Sequence, residues 1–126
     1  MPLSFKIRDE ENQRINNLLK KLIGLDYVPE NGNALIDELL AGLNLNMQSL
    51  LEFKPENLVA HLQKNNFDWD NAEQFADFLM ALSSRLPEKG FSLSEKAIAV
   101  YEFVQTESKT FSFNIFNKIN AAQKQI

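Results

Sequence analysis

Apolar residues recur along this chain at intervals of three and four, the period of a helix with one face buried. Over residues 8–23 the stripe is Ile15, Leu18, Leu19, Leu22 and Ile23. Asp9, Glu10 and Glu11 then fall in the first turn and Lys20 and Lys21 in the last, where each sign complements the helix dipole, and Gly24 reads as the stop. The stretch "DYVPENGN" is a turn, after which Asn33 caps a second helix over residues 34–43 with Leu35, Ile36, Leu39, Leu40 and Leu43 inward. A short third helix covers residues 47–53. Pro55 suits the first turn of a fourth, which runs to residue 64.

The second half repeats the logic with longer elements. "NNFDWDN" breaks the chain, and Asp68 or Asp70 caps a fifth helix on which Ala72, Phe75, Ala76, Leu79, Leu82 and Leu86 form the stripe. Trp69, beside that cap, is placed to cover Phe75 or Ala72 as a staple, with Phe67 ahead of it. "PEKG" ends the helix. Ser92 and Glu95 match the S-x-x-E capping box of a sixth helix reaching residue 106. Its core, "KAIAVYEFV", is apolar almost all round and predicts a sandwiched position. Phe113, Phe116 and Ile119 mark a terminal helix. "TFSFNIF" alternates briefly, but a lone strand has no partner here. The pattern predicts an all-α single domain over residues 1–126, a bundle or short solenoid of six or seven helices. Residues 1–66 hold the N-terminal helices, and residues 67–126 a hairpin plus the terminal helix.

Composition narrows the function classes. With 44% hydrophobic and 24% charged residues, the 126-residue chain has enough apolar surface for one core and is not of the disordered type. It has no cysteine, which removes disulfides, thiolate metal sites and cysteine nucleophiles. The net charge is −4 and the thirteen Lys and Arg are scattered, so a basic face for nucleic acid is not expected. "MPLSFKIRDEENQR" turns charged too soon for a Sec-type signal, and no apolar run approaches the ~20 residues that span a bilayer. The expected location is cytoplasmic, away from membranes.

Residues 72–108, "AEQFADFLMALSSRLPEKGFSLSEKAIAVYEFVQTES", resemble one helical hairpin of the tetratricopeptide (TPR) family. Phe75 with Leu79 resembles the first-helix pattern of an aromatic and a leucine. Ala97 and Tyr101 match the small residue and following aromatic of the second helix. "PEKGF" makes the loop longer than the family's, and a 34-residue shift sets Gly42 and Gln63 against Ala76 and Ala97, so no second copy is seen. The resemblance implies a TPR-like second half and binding of protein partners.

Few residues carry chemistry. Asp68 and Asp70 open like a calcium loop, but the fifth, sixth and twelfth positions are Ala72, Glu73 and Leu79 where an oxygen ligand, glycine and glutamate belong. His61, the only histidine, has Asn57 and Asn65 one turn away on either side, not metal ligands, and reads as a structural or solvated residue. There is no G-x-S-x-G elbow and no glycine-rich phosphate loop. Glu73 and Asp77 share a helix face that reads as solvated. No catalytic, cofactor-binding or metal-ligating residue is therefore assigned, and no cofactor is expected.

The ten phenylalanines are the most distinctive feature. Most must be core. For Phe111, Phe113 and Phe116, near the C-terminus, core is the simpler assignment and an exposed interface the alternative. The candidate partner-binding residues are thus Asn57, His61 and Asn65 on one helix and Phe111, Phe113 and Phe116 near the end, the amides by analogy with TPR-like grooves. The expected function is a protein-interaction or assembly module, its partner another protein or a second copy in a homodimer. A small carboxylate-based enzyme or ligand-binding helical protein is the alternative.

Overall fold

A computed structural model of the chain describes residues 2–24, 32–65, 67–108 and 112–124. Within them are seven α-helices packed together and no strand. They are α1 (Pro2–Gly24), α2 (Gly32–Ala41), α3 (Met47–Glu52), α4 (Pro55–Lys64), α5 (Trp69–Arg85), α6 (Gly90–Ser108) and α7 (Phe113–Gln123). A 3₁₀ turn, Pro87–Lys89, leads from α5 into α6.

The termini of the helices have local causes. Pro55 stands in the first turn of α4, where its missing N–H costs nothing. Asn46 caps α3 and Asp68 caps α5, each with a reciprocal bond from the third helical residue, Ser49 and Asn71. Ser112 caps α7 by accepting from the Ile115 N–H. Three predicted starts are corrected. Helix α1 begins at Pro2, so Asp9, Glu10 and Glu11 lie in its body. Helix α6 begins at Gly90, because the 3₁₀ turn runs straight into it, and Ser92 sits inside the first turn with its hydroxyl accepting from Lys96 Nζ. Asn33 likewise falls within α2.

One buried cluster links Ile15 and Leu19 of α1, Ile36 and Leu40 of α2, Leu50, Leu58, Phe75, Leu79, Val100, Tyr101 and Ile119. Helix α6 is the centre of the packing, touching α4, α5 and α7, as its all-round apolar character predicts. Polar groups fix the register. Ser83 and Ser94 face each other at 3.1 Å in the interior of the α5–α6 hairpin. The buried Asn71 donates to Asn16 Oδ1 at 2.6 Å, and Gln74 joins at 3.0 Å, tying α1 to α5. At the α2–α3 turn, Arg14 donates to the Gly42 carbonyl and the Leu18 side chain fills the space beside Gly42, where a Cβ would come within 2.7 Å of it.

Several inward expectations move. Leu35 is half exposed while Ile36, Leu40 and Leu43 are buried. Trp69 is the first residue of α5 and 48% exposed, so it is not the staple. Phe67 takes that role, edge-on to Phe75 at 5.9 Å.

Candidate functional site

Asn57, His61 and Asn65 do line one face of α4, but two of them are engaged internally. Asn65 is the C-cap, its amide donating to the His61 carbonyl at 2.7 Å and its oxygen accepting from Asn44. Asn44 is held at φ 59°, a left-handed conformation that asparagine tolerates. The His61 ring lies against Phe53, centroids 5.2 Å apart, with Nε2 3.4 Å from the Leu43 carbonyl. His61 and Asn65 therefore join α4 to the α2–α3 turn, and Asn57 is the exposed amide of the three.

At the other end, α7 buries Ile115, Ile119 and Ala122, one stripe at i, i+4 and i+7. Phe113 and Phe116 face away, 74% and 46% exposed, so the core assignment fails for both. Phe111 lies outside the described residues. The rings are far from an even apolar face: Asn114, Asn117 and Asn120 are exposed among them.

Where α7 meets α5 and α6 lies a polar cluster whose acids the sequence placed in solvent. Lys118 Nζ donates to Glu73 Oε2 at 2.7 Å and lies 3.0 Å from Asp77 Oδ1. Tyr101 donates its hydroxyl to Asp77 at 2.6 Å, and Lys118 stands 5.9 Å from the Tyr101 ring centroid. Burial and then the Asp77 carboxylate push the Tyr101 phenol well above its ordinary range. Burial draws the Lys118 ammonium down, but its bonds to Glu73 and Asp77 outweigh that and hold it above the usual lysine value. These carboxylates are separated by 24 to 45 residues from the groups that bind them, so no local spacing signals the cluster.

Lys96 is a second group missed. It is 3% exposed, and its ammonium meets Ser92 Oγ and, at 3.4 Å, the Leu51 carbonyl near the end of α3. Desolvation lowers its pKa. The cation at the carboxyl end of α3 anchors that short helix to α6. Among the described residues no three His, Cys, Asp or Glu converge as metal ligands would, and no helix is long and apolar enough to cross a membrane.

No family model, curated protein or solved structure matches this chain. Its surfaces must speak for its function.

Proposed function

We propose that this chain is a protein-interaction or assembly module of TPR-like character, working in the cytoplasm without a cofactor. The observation that carries the reading is the outward display of Phe113 and Phe116 on a helix docked by its opposite face. Exposed aromatics amid amides are the composition of interaction surfaces, because a ring supplies large contact area for few frozen torsions. The helical order supports the TPR-like part. Phe75, Leu79, Ala97 and Tyr101 are all buried in the α5–α6 hairpin, and α7 follows as the next helix of a stack would, lying on α6 and reaching α5 through Lys118.

Light scattering on a size-exclusion column, wild type against Phe113→Ala/Phe116→Ala, tests the reading. A dimer that the variant dissolves while remaining helical supports self-assembly through this edge. A specific partner captured by wild type and lost by the variant supports binding in trans. Monomers throughout with no specific capture would end the proposal. The carboxylate-enzyme alternative has less support, since Glu73 and Asp77 are held by Lys118 and Tyr101.

A further inference from the structure

The outward side of α7 has a composition that no other helix shares among the described residues. Each of the others shows solvent at least one acid: Glu10 of α1, Glu38 of α2, Glu52 of α3, Glu56 of α4, Asp70 of α5 and Glu102 of α6. Helix α7 contains one charged residue, Lys118, and its ammonium is bonded to Glu73 and Asp77 of α5. What α7 turns to solvent is therefore aromatic, amide and alanine. Phe113 is 74% and Phe116 46% exposed, and Asn117, Asn120 and Gln123 are exposed with them. Each ring also has a partner within the chain, which limits the motion that binding must freeze. Charge depletion around large rings is the composition of an interface centre.

Phe113, Asn117, Asn120 and Lys124 recur at i, i+4, i+7 and i+11, a stripe opposite the buried Ile115, Ile119 and Ala122. Lys124, the C-cap, ends the stripe with its only charge. An amide side chain carries both donors and an acceptor, so a pair of asparagines is satisfied by a copy of itself. A strongly charged partner would leave its own charges unpaired here, whereas two chains of net charge −4 meet on this face without setting acid against acid. Lys124 also fixes the direction of pairing. Two α7 helices laid in the same sense set Lys124 against Lys124. Laid in opposite senses, they bring Asn117 to Asn120 of the second copy twice over, and Lys124 to the ring of Phe113 of the second copy.

We propose that the outward face of α7 is a homodimer interface, on which two copies of the chain pair their α7 helices antiparallel about a two-fold axis between Asn117 and Asn120. This names the partner of the interaction module proposed above as a second copy, and rests on that reading. A helix of 11 residues is about 16 Å long, short for an interface of standard size, so the dimer is weak, with a Kd of roughly 10–100 μM.

Sedimentation equilibrium of the full chain, taken to about 1 mM so that a Kd in that range is covered, reads the pairing. Wild type is expected to dimerise reversibly. Asn117→Glu/Asn120→Glu sets acid against acid on both sides of the axis and is expected to weaken the dimer about tenfold or more. Asn117→Lys/Asn120→Glu instead sets cation against acid twice in the antiparallel pair, and is expected to dimerise at least as tightly as wild type. Both positions are exposed, so circular dichroism and urea unfolding should find both variants folded like wild type. A wild type that stays monomeric, or a dimer that the acidic variant leaves intact, would overturn self-pairing on this face. A dimer lost equally in both variants would overturn the antiparallel arrangement. Monomeric wild type that still captures a specific partner, lost with Phe113→Ala/Phe116→Ala, would remove the second copy and leave the interaction module standing.

Discussion

The α5–α6 hairpin and helix α7 are neighbours built on different physics. The hairpin closes over wholly buried groups, Phe75, Ala76, Leu79, Leu93, Ala97 and Val100, with a serine pair satisfied inside. Such an interior is close-packed, so each methylene removed leaves a cavity that its surroundings fill only in part. Helix α7 instead buries a narrow stripe, leaves much of its two aromatic rings exposed and bonds to α5 through Lys118 and Asn114. The contrast separates an interior closed on all sides from an edge helix held partly by ion pairs that solvent reaches.

The sharpest way to break this comparison is to delete one ring from each side. Phe75→Ala should cost about 3–5 kcal/mol in urea unfolding, the range for a buried phenylalanine. Phe113→Ala should stay within about 0.5 kcal/mol, as exposed substitutions do, and that pairing is the smallest and most diagnostic effect in the series. A large loss for Phe113→Ala would put its ring in the core and remove the interface.

Next in size is Tyr101→Phe, which keeps the ring in the hairpin but removes the hydroxyl that Asp77 accepts. A hydrogen bond to a charged group is worth about 1.5–3 kcal/mol, a loss that thermal or urea melts at neutral pH would register. The same residue governs behaviour in alkali. Tyr101 and Lys118 both keep their protons longer when folded, so their stabilisation is complete below their unfolded values of about 10 and 10.4 and is lost as pH rises beyond them. Lys96 has the opposite sign. Its folded pKa is lowered, so its cost is in force at neutral pH and relieved as pH climbs toward the unfolded value. Stability measured against pH should therefore rise on the alkaline side and then fall above about pH 10. Lys96→Met should flatten the rise, and Tyr101→Phe should remove most of the fall. A fall unchanged in Tyr101→Phe would mean that the phenol does not titrate with folding.

Smaller again, Asp68→Ala should cost about 1 kcal/mol through loss of the α5 cap, with Asn71 retaining its bond to Asn16. If Asp70 were the true cap, Asp68→Ala would be silent and Asp70→Ala would not.

Much of the fold is legible in the residues. Regular apolar spacing, Pro55 and an acid at the head of α5 are local signals, and helices are local objects closed by bonds four residues apart. The failures are as instructive. Ser92 and Glu95 have the right letters for a capping box, yet the chain enters α6 two residues earlier, through a turn whose geometry outranks them. Trp69 read as the staple from its place beside the cap, but with Asp68 as the cap the side chain that precedes the helix is Phe67.

The candidate site divides in the same way. That Phe113 and Phe116 belong to a terminal helix, that cysteine chemistry is absent and that the chain is all-α follow from order and spacing along one dimension. Which face of α7 turns inward, that Lys118 meets Glu73 and Asp77 from more than forty residues away, and that Lys96 is shut from solvent beside α3 were decided only when the helices packed. The physical reason is that a helix stripe selects its own buried side through near neighbours, whereas charge pairing and burial depth depend on which other helix arrives there.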